Sequence, residues 1–235
     1  MQSDTVPPYA RAIEFIQEFR RYAITLLIAI AVATAGFYFI SRPLFSILQN
    51  HLQQELVFFT VAEPFLAHVK IAISTALFTL MPMLVFCVWK ALARPFKLTG
   101  RSVFWFVCFT CFLFYSGSLF CYFITLPYGI KFLLGFGSEQ LQPVISVERF
   151  ITFIAVFILA FGLIFELPIF MVFSAQAGLI SRATFAKNRR YAVLVISIVA
   201  ALLTPTPDVV NMMLMGLPLY ALYELGIIVL KILRI

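Results

Sequence analysis

A single carboxyl group interrupts the most apolar part of the sequence. The run FITFIAVFILAFGLIFELPIFMVF covers residues 150–173, and Glu166 is its one charged residue. At about 1.5 Å per residue, a helix of this length would span the ~30 Å hydrocarbon core of a bilayer. An ionisable group at that depth costs roughly 2.5–3.5 kcal/mol on insertion scales, so we expect Glu166 to face water or a polar partner. Pro168 removes a backbone N–H two residues later, which predicts a kink beside the carboxyl group.

Several roles are open for Glu166. It could be a packed polar residue bonded to a neighbouring helix, or it could bind a polar group of a partner protein. It could also relay protons in a small secondary transporter, a class that usually shows repeat symmetry between its halves. The sequence shows no such repeat, because the fourth apolar run carries a glutamate and the first carries no charge. A purely structural membrane scaffold is a further alternative.

Two more carboxylates lie near the N-terminus. Glu14 and Glu18 are one helical turn apart, in a stretch whose apolar residues recur at helical spacing and which ends in Arg20-Arg21. We predict a short amphipathic helix at the membrane surface, with both carboxylates on its polar face. They could bind a cationic peptide through bidentate arginine–carboxylate bonds, or pair locally with Arg11 and Arg21.

The sequence contains no arrangement typical of an enzyme. It has no HExxH or GxSxG motif, no phosphate-binding glycine loop and no paired intramembrane aspartates. His51 and His68 lie in or near the first predicted outer loop, far from Glu166 in depth. All four cysteines lie in apolar runs, and the CxxC spacing of Cys108 and Cys111 falls inside a predicted membrane helix, where small buried side chains are the better interpretation. We expect no catalytic residue, metal or cofactor.

Composition predicts an all-α integral membrane protein. Of 235 residues, 63% are hydrophobic and 11% are charged, whereas soluble domains carry roughly 25% charged residues. The net charge of +7 is dispersed between apolar runs, which does not favour nucleic acid binding. We predict a single polytopic membrane domain over residues 1–235, with six spans at approximately 22–41, 66–90, 102–127, 148–175, 190–204 and 210–230.

The first span is expected to be retained rather than cleaved. Arg20-Arg21 and the Ala31-Val32-Ala33 triplet imitate an export signal, but the apolar run continues beyond the alanines to Ile40. After this span we predict a loop over residues 41–68, in which Pro43 opens a short helix.

Prolines and glycines predict the remaining breaks. Pro82 should kink the second span, and Pro127 should begin the second outer loop. Ser146 is a candidate cap for the fourth span. The fifth apolar run, residues 191–203, covers only about 20 Å as a helix, and Pro218 shortens the regular part of the sixth. Two short neighbouring spans imply a thinned bilayer or a packed partner.

The distribution of cations predicts the sidedness of the protein. Thirteen of the 17 Lys and Arg residues lie in the N-terminal segment, in the loops at residues 90–101 and 182–190, and in the C-terminal tail; the alternate loops hold the other four. By the positive-inside rule both termini are cytoplasmic, which an even number of spans also requires.

Six short motifs together resemble those of the TatC family, the polytopic core of the twin-arginine protein translocase. They occur in the family's order and at matching membrane depths over nearly the full chain. They are QEFRR at 17–21, VAEPF at 61–65 with Lys70, VW at 88–89, FELP at 165–168, LTP at 203–205 with PD at 207–208, and PLY at 218–220 with YELG at 223–226.

This resemblance implies a fold and a function. The fold would be a curved, glove-like wall of six helices in which helices five and six are short, located in a bacterial cytoplasmic (inner) membrane. The protein would bind twin-arginine signal peptides of folded precursors and recruit TatA- and TatB-type single-span proteins, with export driven by the proton-motive force. Membrane lipid and further copies of the chain are additional expected partners.

The resemblance also suggests site residues. A signal-peptide site would comprise Glu14, Glu18, Phe19, Arg20 and Arg101. An intramembrane polar site for partners would comprise Glu166 and Pro168. An outer cap would comprise Pro43, Glu63, Pro64, Pro205 and Asp208.

The sequence departs from the family pattern at one of these sites. The first cytoplasmic loop of the family usually carries a glutamate before its basic pair, and counting without a gap from Trp89 places Gly100 there. One of the two expected acidic contacts for the signal arginines is therefore missing. We hypothesise that Glu14, one turn from Glu18, supplies the second carboxylate.

Overall fold

The computed structural model describes residues 8–52, 56–96, 98–135, 145–203 and 209–233, and these residues are mostly helical. Two strands of two residues each are the β-structure within these ranges. The elements are α1 (Pro8–Leu52), β1 (Leu56–Val57), α2 (Glu63–Thr79), α3 (Met81–Ala93), α4 (Gly100–Phe120), a π-helical turn (Cys121–Thr125), α5 (Leu126–Leu134), β2 (Ile145–Ser146), α6 (Val147–Ile164), α7 (Leu167–Gln176), α8 (Arg182–Lys187), α9 (Arg189–Leu203) and α10 (Val209–Ile232).

The predicted all-α membrane class is confirmed. Four helical segments in the described ranges are long and apolar enough to cross a membrane, namely 22–50, 100–132, 147–176 and 215–232. The pair α2 and α3 meets the same criterion as one span bent by 51°. The fifth predicted span corresponds to α9, whose 15 residues cover only about 22 Å. The predicted sidedness and the predicted curved wall remain predictions.

The chain forms two compact units. The first comprises residues 1–54 and 60–111, and the second comprises residues 55–59 and 112–235.

Helix α1 dominates the first unit and corrects two predictions. The amphipathic segment and the first span form one uninterrupted helix of 45 residues, because no proline or glycine occurs between residues 9 and 35. The helix also continues past Ser41, where a loop was predicted, and contains Pro43 in its interior. Serine hydroxyls bond carbonyls around this proline, from Ser41 to Tyr38 O at 2.7 Å and from Ser46 to Pro43 O at 2.8 Å.

The predicted kink at Pro82 is confirmed. Leu80 separates α2 from α3, and Pro82 lies in the first turn of α3, where its missing N–H is least costly. Beyond the bend, the indole of Trp89 stacks on Phe106 at 4.4 Å and donates a hydrogen bond to Thr110 Oγ1 at 3.0 Å. These buried contacts fix the end of α3 against α4.

The second unit begins with a pairing that the sequence did not predict. Strand β1 pairs in parallel with β2, with Leu56 opposite Ile145 and Val57 opposite Ser146. The predicted cap at Ser146 is confirmed, since its hydroxyl accepts a hydrogen bond from the Arg149 backbone N–H at 3.5 Å.

Pro127 does not end its helix, contrary to prediction. The chain stays helical from Gly100 to Leu134, and the π-helical turn Cys121–Thr125 comes directly before the proline. In a regular helix the proline ring would crowd the carbonyl of Phe123. The wider turn changes the hydrogen-bond register at this point, so the helix passes through Pro127.

Glycines allow close helix packing in the second unit. A Cβ atom at Gly162 on α6 would lie 2.5 Å from the Phe114 ring of α4, and one at Gly117 on α4 would lie 2.5 Å from the Phe165 ring. Phe114 and Phe161 are both almost fully buried beside this contact. The contact between α4 and α6 therefore has no room for a side chain at either glycine.

Helix α10 packs on α7, α8 and α9. A Cβ atom at Gly226 would lie 2.6 Å from Met171 Sδ and 3.4 Å from Pro168 Cα, so α10 lies directly against the first turn of α7. Helix α10 runs across Pro218 without interruption for 24 residues and is thus longer in its regular part than predicted.

Candidate functional site

The two N-terminal carboxylates lie on one side of α1, as predicted. Glu14 and Glu18 are separated by one turn of uninterrupted helix, and Glu14 is exposed. Both carboxylates were predicted to lie on the polar face of the helix, but Glu18 is largely sheltered there, with only 16% of its side chain accessible. Among the side chains that the structure describes, none pairs with Glu14.

Glu18 forms an ion pair with Arg94. The Arg94 guanidinium donates a hydrogen bond from Nη1 to Glu18 Oε1, although the two residues are 76 positions apart in the chain. Arg94 is the residue that ends α3, and 68% of its side chain is accessible. Arg94 was predicted to lie in a basic loop but was not predicted to be a site residue. The sequence did hold one indication of the pair. Arg94 comes directly after the second span and Glu18 directly before the first, so opposite charges stand at neighbouring span ends.

Aromatic rings lie on the turns of α1 and α3 next to this ion pair. Phe19 stacks on Phe15 with 5.8 Å between ring centroids, which covers the apolar side of the turn that carries Glu18. Lys90, one turn before Arg94, places its ammonium 5.4 Å from the Tyr22 ring and 5.3 Å from the Phe86 ring. The site therefore combines a sheltered carboxylate, aromatic surface and nearby cations.

The other predicted signal-peptide residues lie on the same two elements or close to them. Arg20 is exposed on α1, and Arg101 is exposed in the first turn of α4. In the described part of the chain, Glu18 pairs with Arg94 and not with Arg101. Gly100, where the family usually has a glutamate, begins α4 with open space around it.

Glu166 lies at the predicted kink, which the structure confirms. It occupies the N-cap position of α7, between the end of α6 and Pro168. Its N–H donates to Leu163 O at 3.1 Å, and its carbonyl accepts from the Phe170 N–H at 3.0 Å, so the chain turns tightly there. Both carboxylate oxygens are buried, each exposing less than 1 Å².

A further polar group, the Ser118 hydroxyl, lies near this kink. Gly162 is one turn before Glu166, and a Cβ atom there would lie 2.7 Å from Ser118 Oγ. Within the ranges that the structure describes, the buried hydroxyls of Ser118 and Thr125 have no hydrogen-bond partner. A buried carboxyl group and two buried hydroxyls thus occur in a membrane-spanning part of the second unit, which favours polar recognition at this depth.

Three of the five outer-cap residues are described. Pro43 lies on α1 between Tyr38 and Phe45. The Tyr38 ring contacts the Phe65 ring of α2 with 6.1 Å between ring centroids, and the Phe45 ring contacts the His68 ring of α2 with 5.7 Å between centroids. Glu63 and Pro64 are the first two residues of α2, and Glu63 is buried. The structure therefore brings Pro43, Glu63 and Pro64 to the same end of one helix pair. Pro205 and Asp208 lie outside the described residues.

A second ion pair joins α9 to α10. Arg189 donates from Nε and Nη2 to the two carboxylate oxygens of Glu224 at 2.6 and 3.0 Å, and the Tyr220 hydroxyl donates to Glu224 at 3.0 Å. The hydroxyl of the neighbouring residue Tyr223 donates to the carbonyl of Phe185 in α8 at 2.8 Å. These bonds hold the second basic loop to α10.

The described residues include no group of three or more His, Cys, Asp or Glu side chains that could hold a metal ion. Cys87, Cys108, Cys111 and Cys121 form no disulfide within the described residues.

Comparisons with known proteins identify the family. Residues 14–218 match the family described as Sec-independent protein translocase protein (TatC). The TatC protein of Koribacter versatilis is 34% identical over 97% of this chain and 92% of its own length, and that of Desulforapulum autotrophicum is 36% identical over 92% and 82%. A crystal structure of the twin-arginine translocase receptor TatC, determined in DDM, superposes with a TM-score of 0.80 at 29% identity, covering 92% of this chain and 98% of that one. The chain belongs to the TatC family, a membrane component of the Sec-independent protein translocase.

Proposed function

We propose that this chain is the receptor subunit of the twin-arginine translocation system. It binds the twin-arginine signal peptides of folded precursors and recruits TatA- and TatB-type single-span proteins. It works in a bacterial cytoplasmic membrane with both termini in the cytoplasm, and the proton-motive force drives export. The observation that supports this most strongly is the ion pair between Glu18 and Arg94. A carboxylate that accepts a guanidinium from its own chain has the chemistry needed to accept one from a peptide.

The surroundings of Glu18 favour arginine over a generic cation. A guanidinium presents a planar set of donors that matches a carboxylate and also stacks on aromatic rings, which an ammonium group does less well. Partial burial strengthens the interaction, because a sheltered charge is screened less by salt. The cations at Lys90, Arg20 and Arg101 repel peptides that carry positive charge without the matching geometry.

A pair of arginines needs a second acceptor, and Glu14 fits this requirement. It is exposed, lies one turn from Glu18 and faces the same side of α1. Carboxylates about 6 Å apart along a helix lie within reach of two long arginine side chains of one peptide. Glu14 thereby takes the role of the family glutamate that Gly100 replaces.

The kink at Glu166 is the proposed docking point for a partner helix. A buried carboxyl group beside a proline and near the buried hydroxyl of Ser118 offers hydrogen bonds to a polar group on a neighbouring span. Elsewhere, large apolar side chains on α1 and α9, including Val32 and Leu202, are more than half exposed. They suit contact with lipid, with partner spans or with another copy of the chain.

Site-specific cross-linking tests the peptide site. A photo-reactive residue at Gln17, which is exposed beside Glu18, should cross-link a precursor carrying a twin-arginine signal. Replacing both signal arginines by lysine should reduce that product by about tenfold, which corresponds to losing one charge-assisted bidentate contact. The same probe at Phe58, exposed beside β1, serves as the control and should give no arginine-dependent product. Equal products with arginine and lysine signals would contradict the proposed function.

Glu166→Ala separates the two proposed sites. This variant should bind a twin-arginine peptide with wild-type affinity, since Glu18 is unchanged. Its association with a TatB-type partner should weaken by about five- to thirtyfold, in line with interhelical hydrogen bonds of 1–2 kcal/mol in membranes. Co-purification of the partner measures the loss. Wild-type association and export in this variant would show that Glu166 is a packing residue.

A further inference from the structure

We propose that Arg94 is an internal competitor for the peptide site. In the unloaded protein its guanidinium occupies Glu18, and an incoming signal arginine must displace it. The inference rests on the proposed function, since it assumes that Glu18 is the carboxylate that receives a signal arginine.

The exposures of the two partners point to this exchange. Only 16% of the Glu18 side chain is accessible, whereas 68% of the Arg94 side chain is. Glu18 is therefore the sheltered acceptor on a rigid helix, and Arg94 approaches it from the solvent side. A ligand arriving from solvent reaches Glu18 along the same path, so the internal and external guanidinium groups compete for one acceptor.

The main chain at Arg94 is fixed, so the exchange involves its side chain. Five residues earlier, the buried indole of Trp89 stacks on Phe106 and donates a hydrogen bond to Thr110. Arg94 directly follows the last turn of α3. A long side chain anchored this close to Glu18 stays at a high effective concentration after displacement and returns when the peptide leaves. The contact thus lowers affinity in the unloaded protein and assists release.

Lys90 provides the comparison within the same helix. It lies one turn before Arg94, its ammonium contacts the rings of Tyr22 and Phe86, and it forms no ion pair with Glu18 in the described structure. The change in peptide affinity on removing Lys90 therefore measures only the general repulsion of a cationic peptide. The change on removing Arg94 measures that repulsion and the competition for Glu18 together.

Peptide titration tests the proposal on the purified full-length chain in lipid nanodiscs. The probe is a fluorescent synthetic peptide carrying a twin-arginine motif, with a twin-lysine peptide as its control. Arg94→Gln should raise affinity for the twin-arginine peptide about two- to fivefold, the range expected for an exposed ion pair. Lys90→Gln should raise it less, and Arg94→Lys, which retains a cation near Glu18, should fall between wild type and Arg94→Gln. In a Glu18→Gln background there is no carboxylate to compete for. Arg94→Gln should then raise affinity for the twin-arginine peptide no more than Lys90→Gln does.

The outcomes distinguish the competitor from the function on which it rests. The competitor proposal is overturned if Arg94→Gln binds the twin-arginine peptide with unchanged or lower affinity. It is also overturned if Lys90→Gln gains as much affinity as Arg94→Gln, or if the full gain of Arg94→Gln persists in the Glu18→Gln background. If wild type binds the twin-arginine peptide and Glu18→Gln does not, the receptor function stands even where the competitor fails. If wild type does not prefer arginine over lysine, the receptor function fails and the competitor fails with it. Thermal unfolding midpoints matching wild type, and the intermediate result for Arg94→Lys, exclude misfolding as the cause.

Discussion

Glu18→Gln is expected to weaken binding of a twin-arginine peptide by at least about tenfold, because a hydrogen bond to a charged group contributes roughly 1.5–3 kcal/mol. Glutamine keeps the size of the side chain but loses the negative charge and one of the two acceptor oxygens. It therefore cannot form the bidentate bond that an arginine makes with a carboxylate. Equilibrium titration of the labelled peptide on the purified protein measures the change, and higher salt should reduce the difference between the two proteins.

Two matched substitutions make this result specific. Glu224→Gln also removes a glutamate–arginine ion pair, but from the second unit, and should bind the peptide as wild type does. Glu14→Gln should weaken binding by a smaller factor than Glu18→Gln, since Glu14 is exposed and more strongly screened. Wild-type binding by Glu14→Gln would remove Glu14 from the site, and wild-type binding by Glu18→Gln would contradict the site itself.

The second large effect is expected from Gly162→Leu. A Cβ atom at this position would lie 2.5 Å from the buried ring of Phe114 and 2.7 Å from Ser118 Oγ, so α6 must move away from α4. Forcing a side chain into a packed core typically costs 1–3 kcal/mol. For a protein of this size the midpoint of thermal unfolding should fall on the order of 5 °C. Thermal unfolding of the detergent-solubilised protein measures the shift.

Gly36→Leu is the control for this substitution. Gly36 is also a helical glycine, but it is exposed on α1 and a Cβ atom there meets nothing within 4 Å. Both variants gain the same helix propensity from the loss of glycine, so their difference isolates the packing cost. Equal midpoints for the two variants would mean that α4 and α6 do not depend on this contact.

Family membership makes one of the alternative roles for Glu166 less favoured. The relatives are components of a protein translocase, which does not favour a small secondary transporter with Glu166 as its proton relay. The buried carboxyl group and the kink at Pro168 are compatible with both a packing role and a partner site, and the Glu166→Ala experiment distinguishes these.

Local chemistry made several features predictable from the sequence. Apolar length defined most spans, and the kinks at Pro82 and Pro168 followed from the missing N–H of proline. Proline alone did not decide every case. Helices continue through Pro43, Pro127 and Pro218, and at Pro127 a π-helical turn relieves the clash. A helix continues through a proline if it can form a wider turn there or if the carbonyl left without an N–H donor finds another partner. Both depend on neighbouring side chains and helices, which the position of the proline alone does not reveal.

Contacts between distant positions were the least predictable. The pairing of Glu18 with Arg94 joins residues 76 positions apart, and β1 pairs with β2 across an even longer separation. No periodic pattern relates such residues, because their distance depends on how whole helices pack. For the same reason, the sequence suggested Glu18 from a motif but did not single out Arg94.

The continuity of α1 has a mechanical consequence. Because Glu18 and Pro43 belong to the same helix, they are about 37 Å apart along one stiff rod. A tilt of roughly five degrees at the end that holds Glu18 would displace the far end by about 3 Å. A movement at the Glu18 end is thereby transmitted to the other end of the helix without any rearrangement of the residues between them.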